Sequence, residues 1–171
     1  AIFLRFTGCN LWSGLERDRE SAICQFCDTD FVGTDGVAGG TFATAAALAA
    51  QVAKIWNDAN TYDATRFVVC TGGEPLLQAP ALARLLELLP DVTVEIETNG
   101  TTKANPSLDI RIDQFNVSPK LAHSGNPAEL ALIPERLDAY ATDPRAWFKF
   151  VIAAPADLDE ALALRDRYHF K

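Results

Sequence analysis

Histidine is scarce in this sequence, His123 and His169 being the only two among 171 residues. Imidazoles so far apart are read as ordinary surface or core residues, not as half of a zinc site. Basic residues are outnumbered, 15 against 23 acidic for a net charge of -8, and neither sign is gathered into blocks. That scatter argues against a nucleic-acid face or a polybasic membrane patch. Long apolar runs are missing as well. The most apolar stretch, "ATAAALAAQVAKIW", is interrupted by Gln51 and Lys54, and it falls short of the roughly 20 apolar residues a bilayer span needs. There is no G-x-G-x-x-G, and no glycine turn leads into the Lys-Ser/Thr pair of a phosphate loop. Four cysteines, with Cys70 inside an apolar run, are too few for the disulfide framework of a small secreted protein. A cytoplasmic setting is expected, and "AIFLRFTG" reads as a strand, not as a signal segment.

What is present suits one globular domain over residues 1–171, with 49% apolar residues and no internal repeat. Runs rich in β-branched and aromatic residues recur at 2–6, 67–70, 92–96, 114–117 and 147–152. Each is apolar almost throughout, as in parallel strands covered on both faces. Helical periodicity separates them: Leu48, Val52, Ile55 and Trp56 mark one face of 43–57, and Leu82, Leu85, Leu86 and Leu89 mark a second helix. "PERLDAYA" and "PADLDEALALRDRYH" open with Pro and acidic residues, as helix starts prefer. The alternation predicts an α/β domain with right-handed crossovers, either an open sheet or a barrel. Segment 8–42 breaks the rhythm as a long loop with Gly14, Gly33, Gly36, Gly39 and Gly40, and loops of that length inside a domain are usually functional.

Cys9, Cys24 and Cys27 lie in that loop, with residues 10–23 between the first two and only 25–26 between the last two. A closed zinc site wants a fourth ligand, and a redox pair at Cys24 and Cys27 leaves Cys9 unexplained. Three thiolates on an iron-sulfur cluster leave one iron open to a cofactor or substrate. After the next strand comes "CTGGEP" at 70–75, where two glycines admit close backbone approach and Glu74 offers a carboxylate suited to an ammonium group. "EIETNG" at 95–100 and "NVSPK" at 116–120 end the following strands in polar groups. Loops at such strand ends are where α/β proteins place their sites.

Together "RFTGCNLW", the widened triad closing in "CQFCDT", "FVVCTGGEP", "IETNG" and "VSPK" resemble the 7-carboxy-7-deazaguanine synthase family of the radical S-adenosylmethionine superfamily. The likeness runs from about residue 2 to "FKFVI", and the gap after Cys9 departs from the superfamily's usual C-x3-C-x2-C. The resemblance implies a partial (β/α) barrel of parallel strands, truncated here at both ends. It implies a carbon-nitrogen lyase in which Cys9, Cys24 and Cys27 hold a 4Fe-4S cluster and S-adenosylmethionine is cleaved to a 5'-deoxyadenosyl radical. That radical acts on 6-carboxy-5,6,7,8-tetrahydropterin, which loses ammonia to give 7-carboxy-7-deazaguanine for queuosine biosynthesis.

Residue by residue, the resemblance implies Arg5 and Thr71 as substrate contacts. It implies Gly73, Ser118, Pro119, Lys120, Glu97 and Asn99 as cofactor contacts, and Thr29 as a magnesium contact, with no side chain given a proton-transfer role. Chemically these fit: Arg5 can fork onto a carboxylate, and a Thr hydroxyl suits a hard cation. Trp12 and Phe26 are expected to shield the cluster from water. A flavodoxin-like or ferredoxin-like electron donor and a homodimer are further expectations. Two other readings stay open: a radical enzyme that activates another protein, and a non-catalytic zinc-binding scaffold.

Overall fold

A computed structural model of the chain describes residues 1–12, 20, 22, 24, 27, 39–59 and 66–170. Five strands form one parallel sheet in chain order: β1 (Ile2–Phe6), β2 (Phe67–Gly72), β3 (Thr93–Thr98), β4 (Gln114–Val117) and β5 (Ala146–Phe148). A doubly wound sheet reverses its order at a switch point, and this one never does, so all crossovers run one way as in a barrel. Strands β1 and β5 stay edges, which makes the barrel partial.

The crossovers carry α1 (Ala45–Asp58), α2 (Ala79–Glu87), α3 (Pro106–Asp109), α4 (Ala128–Ala131) and α5 (Pro134–Thr142), and α6 (Pro155–Tyr168) follows β5. Local chemistry sets their starts. Thr44 accepts from Ala47 N at 3.1 Å to cap α1, and Asn105 accepts from Leu108 N at 2.9 Å ahead of Pro106. Helices α1, α2 and α3 cover one face of the sheet, where Val52, Leu82, Leu86 and Leu108 pack on Val68, Val94, Ile96, Phe115 and Val117. A second cluster joins Leu137 of α5 to Leu164 and Tyr168 of α6, and Phe170 stacks on Phe148 with ring centroids 3.5 Å apart.

Only β2 is buried along both faces. In β3 and β4 burial alternates residue by residue, and β1 exposes Phe3 and Arg5 between more covered neighbours. Continuous double-sided burial is thus corrected for four of the five strands. The reason lies in the face opposite the helices, where Arg5, Glu95, Glu97, Gln114 and Asn116 line the concave side of the partial barrel. The expected strand over 147–152 also ends early: β5 stops at Phe148, and Val151 and Ile152 are exposed.

Candidate active site

Cys9 sits just past β1, and its loop is spliced to the end of β2 by backbone alone. Gly73 N donates to Phe6 O and Glu74 N to Gly8 O, both at 2.9 Å. The approach is so close that a Cβ on Gly73 would lie 1.9 Å from Gly8 O, and one on Gly72 would lie 2.4 Å from Phe6 O. Gly72 also holds φ at +106°, which L side chains resist. The "GG" of the motif therefore admits the cysteine loop itself.

Glu74, expected to face an ammonium group, is instead wholly buried. Its Oε1 accepts from Leu76 N at 3.1 Å and Thr98 Oγ1 at 3.0 Å, and its Oε2 from Thr98 Oγ1 at 2.9 Å and Asn99 N at 2.8 Å. Burial raises its pKa while the Asn99 and Leu76 N–H groups oppose that shift. The carboxylate thus staples the end of β2 to the end of β3, and nothing of it is left for a ligand.

That staple fixes Asn99, which in turn holds the cysteine loop. Its Nδ2 donates to Asn10 Oδ1 at 2.9 Å and reaches Cys9 Sγ at 3.8 Å, while its Oδ1 accepts from Thr101 N and Oγ1. Leu11 N donates to the same sulfur at 3.4 Å. Burial pushes the Cys9 thiol up, and the N–H groups of Leu11 and Trp12 pull it back. Donors aimed at sulfur favour an anionic thiolate or an anionic cluster behind it.

Beyond β4, Lys120 folds back so that its Nζ donates to Ser118 O at 3.0 Å and Oγ at 3.1 Å. Its pKa is lowered by burial, against the opposite pull of Cys24, Cys9 and Cys27, which places one cation within electrostatic reach of all three sulfurs. Trp12, in the same loop as Cys9, is buried. No disulfide ties up these cysteines. Among the described residues no three His, Cys, Asp or Glu side chains close on a single metal ion. A donor set of three cysteines, sulfur-directed N–H groups and an adjacent ammonium fits a larger anionic cluster.

Below this rim the concave face carries a polar layer. Arg5 pairs in register with Thr71, Thr71 Oγ1 donates to Glu97 Oε2 at 2.5 Å, and Lys149 Nζ donates to Glu97 Oε1 at 2.7 Å. Burial pushes the Glu97 carboxyl up, but the hydrogen bonds from Lys149 and Thr71 outweigh it and the net shift is downward. Asn116, the register partner of Glu97, donates from Nδ2 to Glu95 Oε1 one layer deeper, and Gln114 Nε2 donates to Asn116 Oδ1 at 2.9 Å. Burial raises the Glu95 carboxyl, and the charge of Glu97 adds to that shift.

The structure thus brings Cys9, Gly73, Asn99, Ser118 and Lys120 to the rim, with Arg5, Thr71 and Glu97 below, while Cys24 and Cys27 are linked to them through the charge of Lys120. Thr29 and Phe26 lie outside the described residues. Sequence reasoning passed over Glu95, Gln114, Asn116 and Lys149, although polar residues at alternate positions of β3 and β4 were the available signal.

No protein-family model matches the chain. It is 47% identical over 140 residues to a 7-carboxy-7-deazaguanine synthase from Bordetella pertussis, covering 81% of this chain and 64% of that protein. Its identity is 42% over 160 residues to the enzyme of the same name from Burkholderia multivorans, covering 92% and 73%, and 46% over 145 residues to that of Caulobacter vibrioides, covering 81% and 68%. A crystal structure of QueE from Escherichia coli superposes with a TM-score of 0.55 at 25% identity, covering 94% of this chain and 68% of that one.

Proposed function

Because this chain belongs to the 7-carboxy-7-deazaguanine synthase family, we propose that it converts 6-carboxy-5,6,7,8-tetrahydropterin to 7-carboxy-7-deazaguanine with loss of ammonia, in queuosine biosynthesis. The observation that carries this reading is the backbone splice between Gly8 and Gly73–Glu74, which seats Cys9 beside Asn99 at the rim of a polar concave face. Cys9, Cys24 and Cys27 would hold a 4Fe-4S cluster, which when bound supplies the electron that cleaves S-adenosylmethionine to a 5'-deoxyadenosyl radical.

The chain's own residues bind, orient and shield. Asn99 and the Leu11 N–H fix Cys9 and favour negative charge on its sulfur. Lys120 supplies a positive charge that couples to the cysteines, which eases the arrival of an electron there. Trp12 keeps water away. Gly73, Asn99 and the Ser118–Pro119–Lys120 segment form the cofactor's rim, and Glu97 below it is a hydrogen-bonding partner for sugar hydroxyls. Arg5 and Thr71, paired in register on β1 and β2, face the substrate from below, where the guanidinium can fork onto its carboxylate. Thr29 would add a hydroxyl oxygen for magnesium. A flavodoxin-like or ferredoxin-like protein is the electron donor this chemistry calls for, and a homodimer is part of the same proposal.

The test is anaerobic reconstitution with iron and sulfide, then incubation with S-adenosylmethionine, dithionite and the carboxylated pterin. Brown protein that forms 5'-deoxyadenosine and the deazaguanine by mass spectrometry is expected. A colourless zinc protein, or 5'-deoxyadenosine formed without any deazaguanine, would overturn the reading.

A further inference from the structure

One charged group on the concave face has no task in the scheme above. Lys149 follows β5, where its backbone N–H extends the ladder by donating to Val117 O at 2.9 Å. Its ammonium reaches back across β4 to Glu97 Oε1 at 2.7 Å, yet its side chain remains 53% exposed. Glu97 engages one of the three donors an ammonium offers. The other carboxylate oxygen of Glu97 is taken by Thr71, whose register partner is Arg5. Arg5, Thr71, Glu97 and Lys149 therefore make one rung across the sheet, with a cation on each side of a single carboxylate. Glu95, one layer deeper, has its Oε1 engaged by Asn116.

Exposed ion pairs contribute little to stability, about 0–1 kcal/mol, so a fold has small reason to stretch a lysine across a concave face for Glu97 alone. Glu95 balances the second cation in charge, since it couples to both Glu97 and Lys149, so the face as a whole carries no surplus. Among the described residues, however, the Lys149 ammonium bonds Glu97 alone, and its remaining donors stay open at the concave face for an anionic ligand. We propose that Lys149 is, together with Arg5, a contact for the substrate carboxylate and sets the preference for a carboxylated over a neutral pterin. Glu97 is then the post that holds the ammonium in place. The proposal rests on the functional reading above and deepens its substrate side.

The experiment compares wild-type holoenzyme with Lys149→Met and Lys149→Gln, each reconstituted anaerobically and checked for iron content. KM is measured for the carboxylated pterin, for S-adenosylmethionine, and for the neutral 6-carboxamide analogue. A charge-assisted hydrogen bond of about 1.5–3 kcal/mol corresponds to a KM for the carboxylate raised roughly tenfold to a hundredfold, with the carboxamide nearly insensitive. The carboxylate-over-carboxamide preference then falls by about the same factor. An unchanged preference overturns the proposal, and so does a KM rise confined to S-adenosylmethionine, which would make Lys149 a support for Glu97 and the cofactor only. If the Met variant does not load iron, the Gln variant, which keeps a donor for Glu97, decides by the same criterion. Failure of the functional reading itself shows separately, as wild-type enzyme that makes no deazaguanine.

Discussion

Replacing Gly73 with alanine tests the seat of Cys9 directly. The new Cβ would fall 1.9 Å from Gly8 O, 2.5 Å from Gly8 C and 3.1 Å from Cys9 N, all backbone atoms with no rotamer to yield. Carbon and oxygen do not approach within 3 Å without bonding, so the loop has to withdraw by about 1 Å or more. Withdrawal breaks or stretches Gly73 N to Phe6 O and Glu74 N to Gly8 O, each with a net value of about 1 kcal/mol. Overpacking a tight contact adds about 1–3 kcal/mol. The expected loss is therefore about 3–5 kcal/mol, read as a lower urea midpoint with an unchanged slope, and iron per chain after reconstitution falls with it because Cys9 is displaced from its seat. Both readouts are independent of any role for Gly73 in contacting the cofactor. A Gly73→Ala protein with wild-type midpoint and full iron would refute the account of the glycine pair.

Glu74→Gln turns an NH2 toward donors that now meet a carboxylate oxygen, either Asn99 N or Leu76 N. A buried clash of donors costs about 1–3 kcal/mol, so the urea midpoint drops; an unaltered midpoint would show that the staple between β2 and β3 is idle. For Glu97 the folded-state pKa lies below its ordinary 4.5, with burial opposing and the Lys149 and Thr71 hydrogen bonds prevailing. The ionised group therefore stabilises the fold above pH 4.5, and that contribution is lost as pH falls through the lowered folded value. Melting temperature should drop more steeply below pH 4.5 in wild type than in Glu97→Gln, and parallel curves would contradict this; Glu74, shifted the other way, cancels in the difference, and making the comparison in a Glu95→Gln background removes the coupling of Glu95 to Glu97.

Much of this architecture was readable in one dimension. The β-branched runs located all five strands, and the leucine spacing located α2, because a strand or helix that packs on a core must repeat its apolar residues at its own period. The two four-residue helices, α3 and α4, were not foreseen: each is a single turn, too short for periodicity to register. Strand β5 was read too long because Phe150, Val151 and Ile152 look like strand residues. In the structure Phe150 turns instead toward Phe170, which α6 brings back from the chain's far end. At the site the cysteines and the strand-end motifs were evident from residue type, but Glu74 was misjudged. A carboxylate beside two glycines looks available until the N–H of Asn99 and the hydroxyl of Thr98, distant in sequence, are found to occupy it. Lys149 escaped for the complementary reason: its meaning depends on Glu97, which becomes its neighbour only through the curvature of the sheet.

The strand order has a consequence for how the protein is made. Each strand pairs with the one synthesised just before it, so a nascent chain emerging from the ribosome can add strands singly to a growing edge, without any strand waiting for a distant partner. By the time Glu74 is synthesised, the β1–β2 pair and the Gly8–Gly73 splice have all their atoms, and Cys9, Cys24 and Cys27 lie between the two strands in the chain. Asn99 and then Lys120 arrive later. The sulfur side of the centre can thus be laid down first, and its polar and cationic surroundings close over it in the direction of translation.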